Sequence, residues 1–237
     1  MNILKEFRLN DKCSYLDNKE QTMHYKIIED CDAQETQAYI ERGFRRFGKT
    51  YFRPICQGCN ECQSIKIDVA NFKFSKSARR ILKKGTFITS IIQKPSLTQE
   101  HIKLFEKYHL YMQDLKGWSY TPTAPENYYN SFVSGHGDFG YEVLYFDEEK
   151  LIGVDLIDIL DDGISSIYFY YDPDYMKYSL GKLSLYQQIK YAKVAEKDWI
   201  YLGYYVQDCP SLSYKSQYKP YLTLEGNPSM SEDFSWR

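Results

Sequence analysis

The 237-residue sequence has no apolar run close to the about 20 residues that a helix needs to cross a bilayer. Residues 1–10 carry charges at Lys5, Glu6 and Arg8 and lack the apolar stretch of a signal peptide. Only four histidines occur, and none has the spacing of a metal-binding or catalytic motif. We therefore expect a cytoplasmic protein that does not act at a membrane.

Disorder and a disulfide framework are both disfavoured by the composition. Hydrophobic residues make up 43% and aromatic residues 17% of the chain, enough for one large or two small globular domains. In a reducing compartment, six cysteines are not expected to form structural disulfides. Metal binding, redox chemistry and inert burial remain as their possible roles.

Acidic residues are nearly absent from one stretch of an otherwise acidic chain. Between Arg42 and Lys84 there are twelve Lys or Arg residues and two acids, so the stretch carries +10 in a chain of net charge −2. A predicted helix over 75–84 places five basic residues on one face: Lys76, Arg79, Arg80, Lys83 and Lys84. A solvated charged face is the simpler interpretation. Because like charges at this spacing repel one another, we instead predict a phosphate-binding surface with strong salt dependence.

Three cysteines within this basic stretch have the CxxCxxC spacing. Cys56, Cys59 and Cys62 can turn their thiolates toward one zinc ion or one iron–sulfur cluster. A fourth ligand is normally required, and Cys13 is the first candidate. Other candidates are Cys31, Cys209 and His24. The alternative is three thiols that bind no metal.

The periodicity of apolar residues predicts an α+β fold with a mixed sheet. Predicted helices cover 32–42, 75–84, 98–114, 126–133 and 179–196, and predicted strands cover 64–69, 141–146, 151–160, 164–171 and 199–206. The first helix begins with a capping box formed by Asp32 and Glu35. Pro95 and Ser96 mark a linker that divides the chain into domains at 1–94 and 95–237.

A strand, a loop and a helix meet around Gly181. Three strands, a loop, a helix and a further strand follow one another in the order of N-acetyltransferase-like domains. Backbone N–H groups at the helix start can bind phosphates. The pyrophosphate signature of such domains is interrupted, with Tyr178 at its first position and Leu183 at its last. Ordinary use of acetyl-CoA is therefore disfavoured.

Ordered motifs along nearly the whole chain resemble one enzyme family. In the first half these are Cys13-Ser14-Tyr15-Leu16, Gly43-Phe44-Arg45-Arg46-Phe47-Gly48, Tyr51-Phe52-Arg53-Pro54 with the cysteine trio, and Phe74-Ser75-Lys76-Ser77. In the second half they are Tyr171-Asp172-Pro173-Asp174, Ser179-Leu180-Gly181, Tyr201-Leu202-Gly203-Tyr204-Tyr205, Cys209-Pro210 and Tyr214-Lys215. The chain resembles the bacterial aminoacyl-tRNA–protein transferases of the N-degron pathway, in particular their aspartate/glutamate leucyltransferase branch, which is related to the arginyltransferases.

The resemblance implies a small N-terminal domain with the cysteine cluster and a C-terminal acetyltransferase-like domain. It implies leucine transfer from Leu-tRNA to proteins with N-terminal Asp or Glu, which marks them for proteolysis, with no cofactor for the transfer and no DNA partner. Related arginyltransferases carry an iron–sulfur cluster or metal on N-terminal cysteines, so Cys13, Cys56, Cys59 and Cys62 are candidate ligands. Alternatives are arginyl transfer from Arg-tRNA, a non-catalytic metal-stapled RNA-binding module, and a small-molecule N-acetyltransferase.

Candidate site residues follow from their positions at strand ends and near the predicted cleft. Candidates for oxyanion stabilisation and proton transfer are Tyr171, Asp172, Tyr204 and Tyr205. An acidic acceptor side chain needs a cation, for which Lys215, beside Tyr214, is the first choice and Arg46 or Arg53 the alternative. The tRNA body is expected on the 76–84 face, with its terminal phosphates near Gly181.

Overall fold

The computed structural model describes all 237 residues, which form two β-sheets with helices around the larger one. The smaller sheet is antiparallel, with the strand order β1-β2-β4-β3. Its strands are β1 (Asn2–Lys12), β2 (Glu20–Glu29), β3 (Arg45–Phe47) and β4 (Thr50–Pro54). Helix α1 (Ala33–Glu41) packs Tyr39 against Phe44 and Tyr51 of this sheet region. The predicted capping box of Asp32 and Glu35 is present at its start.

The larger sheet has seven strands in the order β11-β5-β10-β9-β8-β7-β6. They are β5 (Gln63–Asp68), β6 (Ile88–Gln93), β7 (Gly140–Asp147), β8 (Lys150–Ile159), β9 (Gly163–Tyr171), β10 (Trp199–Tyr205) and β11 (Tyr221–Thr223). All neighbours are antiparallel except β9 and β10, which are parallel. The predicted α+β class with a mixed sheet is thus confirmed.

Helices cover both faces of the larger sheet. The remaining helices are α2 (Lys76–Lys84), α3 (Gln99–Lys116), α4 (Pro125–Tyr128), α5 (Leu180–Val194) and α6 (Pro210–Ser213), and a π-helical turn over Tyr129–Val133 follows α4. Helices α2 and α5 pack together over one apolar cluster that includes Ala78 and Ile189. Helix α3 packs its Leu104 and Phe105 into a separate cluster with other strand residues. None of the helices combines the length and the apolar character that spanning a membrane requires.

The parallel strands β9 and β10 stay together only briefly. Their pairing runs from Trp199 opposite Gly163 to Tyr201 opposite Ser165, and no further pairs join these two strands to each other. Helix α5 connects the two strands, as the acetyltransferase-like order predicts. Because the strands separate, the backbone beyond Ser165 borders an opening in the sheet.

The two sheets do not divide the chain where the linker was predicted. Strands β5 and β6 precede residue 95 but hydrogen-bond to β10 and β7 of the larger sheet. The change from one sheet to the other therefore falls between β4 and β5, in the segment that contains the cysteine trio. The division into domains at 1–94 and 95–237 stays a prediction.

Candidate active site

A cleft of about 800 Å³ opens where β9 and β10 separate. Its walls come from β9 beyond Ser165, from the start of α5, from the end of α3 and from the short helical turns after β10. Aromatic side chains dominate one part of it: Tyr108, Trp118, Tyr168, Phe169 and Tyr171. This volume lies in the range of pockets that enclose small molecules.

Two cations lie in the cleft beside one another. Lys215 is buried, and its Nζ donates to the backbone carbonyl of Tyr204 at 2.6 Å. Burial first, and then the neighbouring Arg45, hold the pKa of Lys215 well below its usual value. Arg45 donates from Nη2 to the carbonyl of Ile167 at 2.7 Å, on the part of β9 that has left β10. Lys215 is buried and Arg45 is half-buried, and together they form a positive site that suits a carboxylate.

Arg45 needs the glycine at position 203. Gly203 has φ +72°, and a Cβ there would come within 2.5 Å of Arg45 Nε. Any side chain at position 203 would therefore be strained and would displace the guanidinium from the cleft. The glycine in the predicted Tyr201–Tyr205 motif thus keeps room for a cation.

A carboxyl group forms part of the cleft floor. Asp155 lies in the middle of β8, between β7 and β9, and is fully buried. Its Oδ2 accepts hydrogen bonds from Ser184 Oγ and, at 2.6 Å, from Gln188 Nε2. Burial raises the pKa of Asp155 to about 7, and the two hydrogen bonds oppose part of that rise. The three side chains form a polar patch, which we call the Asp155 cluster, in contact with the cleft.

The first turn of α5 borders the cleft through Gly181. Ser179 precedes the helix in the left-handed region at φ +56°, and no side chain caps the helix start. Gly181 is exposed, and a Cβ there would meet only the ring of Phe169, at 3.7 Å or more. The fold itself therefore does not require glycine at 181, which leaves open space in front of the helix N-terminus.

Among the predicted catalytic residues, only Tyr171 lines the cleft. Asp172 points away from it, because its carboxylate accepts from Lys107 Nζ at 2.5 Å and from Lys150 Nζ at 2.8 Å. Burial works to raise the pKa of Asp172, but these bonds outweigh it and lower the pKa. Asp172 also caps the turn over Pro173–Tyr178 by accepting from the backbone N–H of Asp174, so its geometry is that of a structural anchor.

Tyr204 and Tyr205 also lie outside the cleft lining. The Tyr204 hydroxyl donates to the carbonyl of Phe52 at 3.0 Å, which ties β10 to the smaller sheet. The Tyr204 ring lies behind Arg45, and its carbonyl holds Lys215, so it supports the two cleft cations. Tyr205 packs at the edge of the cluster between α5 and the sheet. The alternation of side chains along β10 explains why the two adjacent tyrosines have different surroundings.

The structure separates the predicted cations of the acceptor site. Lys215 and Tyr214, which were predicted to bind the acceptor, line the cleft. Arg46 does not, because Nε and Nη2 donate to Asp158 and Nη1 donates to backbone carbonyls. Arg53 donates to the carbonyls of Arg42 and Pro228 at 2.9 and 2.7 Å. Both arginines therefore connect parts of the fold.

The cysteine trio surrounds a separate small cavity of about 40 Å³. Burial first, and then the nearby thiols of Cys13, Cys56 and Cys59, together raise the pKa of Cys62 to about 12. The four thiols thus share one region, but no group of three or more His, Cys, Asp or Glu side chains is placed to hold a metal ion. Protonated thiols do not act as ligands, so such a site forms only where a metal displaces the protons. The metal site stays a prediction.

The basic helix has the exposure that a phosphate-binding face requires. Lys76, Arg79, Arg80, Lys83 and Lys84 are all exposed on α2, and none of them forms an ion pair within the chain. Helix α2 packs against α5, whose first turn borders the cleft. The basic face and the cleft are therefore connected through one helix pair.

Sequence reasoning did not select Arg45 or the Asp155 cluster as site residues. Adjacent residues on a strand point to opposite sides, so only one of Arg45 and Arg46 can face the cleft, and it is Arg45. Asp155 could have been selected from the sequence, because it lies within the apolar predicted strand 151–160, where burying a charge costs free energy. Ser184 and Gln188 are one turn apart on a helix, a spacing that brings both to one partner.

Two family models together match most of the chain. The model described as arginine-tRNA-protein transferase, N terminus, matches residues 11–80, and the corresponding C-terminus model matches residues 100–225. The matched segments contain the cysteine trio, the first half of the basic helix and the residues of the cleft. The chain belongs to the arginine-tRNA-protein transferase family, which confirms the predicted class of aminoacyl-tRNA–protein transferase.

Curated relatives of similar length narrow this class. The chain is 46% identical to the aspartate/glutamate leucyltransferase of Campylobacter jejuni over 95% of this chain and 94% of that protein. It is 43% identical to that of Helicobacter hepaticus, over 98% and 97% of the two chains. Among solved structures, it is similar to L-PGS from Bacillus licheniformis, with a TM-score of 0.49 and 15% identity over 71% of this chain and 61% of that one. This last likeness is too distant to add to the strand order described above.

Proposed function

We propose that this chain transfers leucine from Leu-tRNA to the N-terminal Asp or Glu of acceptor proteins in the cytoplasm, which marks them for N-degron proteolysis. The observation that carries the proposal is the near full-length similarity to leucyltransferases, in a chain whose cleft holds Arg45 and Lys215. A buried lysine beside a half-buried arginine suits an acceptor whose side chain must be a carboxylate.

The transfer is the aminolysis of an ester that is already activated. The α-amino group of an acceptor has a pKa of about 7.7–8.0, so a considerable neutral fraction is present at neutral pH. Holding amine and ester together can supply effective molarities of about 10⁵–10⁸ M. Tyr171 lines the cleft with its pKa raised by burial, so its hydroxyl stays protonated and can donate to the developing oxyanion.

The acceptor carboxylate is assigned to Lys215 and Arg45. Lys215 is anchored through the Tyr204 carbonyl, and Arg45 through the Ile167 carbonyl, so both cations are held in place before the peptide binds. A preorganised site loses less entropy on binding than two mobile side chains would. Neutral or basic first residues cannot satisfy the pair, which gives selectivity for Asp and Glu.

The tRNA is assigned to the basic face of α2 and the start of α5. Its body contacts the exposed charges at 76–84, and its terminal phosphates approach the uncapped backbone N–H groups at Gly181. The aromatic side chains of the cleft offer stacking surfaces for the unpaired bases of the acceptor end.

The cysteines Cys13, Cys56, Cys59 and Cys62 are proposed to hold a zinc ion or an iron–sulfur cluster. Four thiolates are suitable ligands for either group. A bound metal would connect the segment between β1 and β2 to the loop before β5 without taking part in the transfer. Visible absorption of anaerobically purified protein tests this directly. A brown sample indicates a cluster, and a colourless sample with stoichiometric zinc indicates a zinc site, whereas the absence of both metals contradicts the proposal.

A transfer assay tests the function. Purified protein is mixed with labelled Leu-tRNA or Arg-tRNA and with peptides that differ only in a first residue of Asp, Glu, Lys or Ala. Label should move from Leu-tRNA to the Asp and Glu peptides alone. Arg-tRNA as the sole donor would instead establish arginyl transfer, and tRNA binding without any transfer would favour a non-catalytic RNA-binding module.

A further inference from the structure

The Asp155 cluster contains two buried polar atoms without a partner. Asp155 Oδ2 accepts from Ser184 and Gln188, but Asp155 Oδ1 has no hydrogen-bond partner, and neither has Gln188 Oε1. All three residues are buried and border the cleft. Leaving such atoms unpaired costs about 1–3 kcal/mol each, more for a charged group. Their position indicates that a substrate completes the cluster.

A purely structural role does not account for a carboxyl group here. Asp158, on the same strand, is equally buried but is paired with Arg46. Asp155 has only the two uncharged partners, and an asparagine oxygen could accept the same two hydrogen bonds. A buried carboxylate without a cation is destabilising. The feature that distinguishes aspartate from asparagine at this site is its ability to gain and lose a proton.

Few other groups near Asp155 can titrate or carry charge. Strand β7 contributes Tyr145, whose pKa is raised by burial first and then by Asp155. Strand β9 contributes Ser166, and α5 contributes Ser184 and Gln188, none of which titrates near neutrality. The cations that line the same cleft are Lys215, held by the Tyr204 carbonyl, and Arg45, Lys116 and Lys182. Asp155 is thus the only acid that lines the cleft.

We infer that Asp155 accepts the proton that the attacking α-amino group must lose during transfer. This inference rests on the proposed function. The amine nitrogen bonds to the ester carbonyl carbon, and Asp155 Oδ1 takes a proton from that nitrogen. The carbon–oxygen bond to the terminal ribose then breaks, and the protonated carboxyl returns the proton to the departing ribose oxygen. An amide and a free hydroxyl result, with Asp155 again ionised.

The acid–base properties of the site support this role. A proton acceptor works best when its pKa is close to the operating pH, and burial brings Asp155 to about 7. Ser184 and Gln188 position the carboxylate and stabilise its ionised form, since their hydrogen bonds lower its pKa. They are positioning residues, and Asp155 is the catalytic residue.

The first test is Asp155→Asn, measured in single-turnover transfer from Leu-tRNA to an Asp peptide. We expect the rate to fall by about 10²- to 10⁴-fold, with the KM values for tRNA and peptide unchanged and the circular dichroism spectrum preserved. A higher KM with an unchanged rate would show that Asp155 only anchors an ammonium group, and would overturn the inference. Glu142→Gln is the matched control, because it neutralises an equally buried acid that lies outside the cleft lining and accepts from the uncharged donors Gln93 and Ser96.

The second test is the pH dependence of the rate. Wild-type transfer should rise with pH through about 7 as Asp155 ionises, and Ser184→Ala should move this rise to higher pH because it removes a bond that lowers the pKa. Glu142→Gln should retain the wild-type rise. A loss of Lys215 protonation would act in the opposite direction, since it lowers activity as pH increases. An unshifted profile in Ser184→Ala would contradict the assignment.

The failure of the inference and that of the proposed function are distinguishable. If wild-type protein transfers leucine and Asp155→Asn transfers it equally fast, only the proposed role of Asp155 is contradicted. If wild-type protein transfers no amino acid from either tRNA to any peptide, the proposed function falls and the role of Asp155 with it.

Discussion

Arg46 of the smaller sheet and Asp158 of the larger sheet form a buried, two-pronged ion pair, with Nε 3.0 Å from Oδ2 and Nη2 bonded to Oδ1. Each side chain is at most 5% exposed. Removing one partner leaves the other charge buried and unpaired, so we expect Arg46→Met to lower the free energy of unfolding by about 3–5 kcal/mol. Urea denaturation of the variant and of wild type measures this difference in the free energy of unfolding.

The control for this pair is Lys49→Met. Lys49 forms an ion pair with Glu29 at 2.5 Å, but both side chains are more than a third exposed. Surface pairs of this kind contribute about 0–1 kcal/mol, so this variant should unfold close to wild type. Equal losses in the two variants would show that Arg46 does not connect the sheets.

Lys215 is expected to reduce stability while it supports acceptor binding. Its pKa is held well below normal by burial, so between that value and about 10.4 the unfolded chain binds more protons than the folded one. In this window stability rises with pH. Lys215→Met should therefore raise the melting temperature at pH 7 and remove the preference for Asp and Glu peptides.

The loss of a charge-assisted hydrogen bond in Lys215→Met corresponds to about 1.5–3 kcal/mol, or about a 10- to 100-fold higher KM for the acceptor. The KM for Leu-tRNA serves as the internal control and should not change. A less stable variant with wild-type acceptor selectivity would contradict this role for Lys215.

Asp155 should make stability fall as pH rises, which is the opposite of the effect of Lys215. Its pKa is raised from 3.8 to about 7 in the folded state, so protonated Asp155 is tolerated in the fold and ionised Asp155 destabilises it. Its contribution to the free energy of unfolding is therefore fully present below pH 4 and is lost as pH rises through 7. Asp155→Asn does not titrate. Relative to wild type, this variant should gain stability between pH 4 and 8, by up to about 4 kcal/mol. Thermal denaturation across this range measures the difference, and a constant difference would be inconsistent with a buried, ionisable Asp155.

The basic face of α2 should account for a large part of the salt dependence of tRNA binding. Each neutralised phosphate contact adds about 0.7–0.9 to the magnitude of the negative slope of log K against log salt. The double variant Arg79→Gln, Arg80→Gln should therefore make this slope less steep by about 1.4–1.8. The helix content should not change, because both side chains are exposed. Filter binding at several salt concentrations measures the slope.

Lys103→Gln provides the control for α2. Lys103 is exposed on α3, which packs into a different apolar cluster from α2 and α5. Its removal should leave the slope unchanged. A similar decrease in both variants would show that net charge alone, rather than the face of α2, determines binding.

The helices and strands could largely be predicted from the sequence, because apolar periodicity and helix caps depend on residues that are close together along the chain. Helix α1 with its capping box and the β7–β8–β9 meander both occur as predicted. The site could be predicted less well, because it depends on which side of a strand a residue faces. Arg45 and Arg46 are neighbours with the same chemistry, but one lies in the cleft and the other is bonded to Asp158, 112 positions away along the chain. Asp172 has a similar explanation, since its lysine partners come from distant elements.

The early separation of β9 from β10 also affects how readily the site can change. Beyond Ser165, no backbone ladder joins the two strands, so the width of the opening depends on side chains such as Tyr168 and Leu202. Substitutions there can alter the amino acid that fits without breaking any strand pairing. A single scaffold can therefore evolve to carry different aminoacyl groups through a few local replacements, while the rest of the sheet keeps its stability.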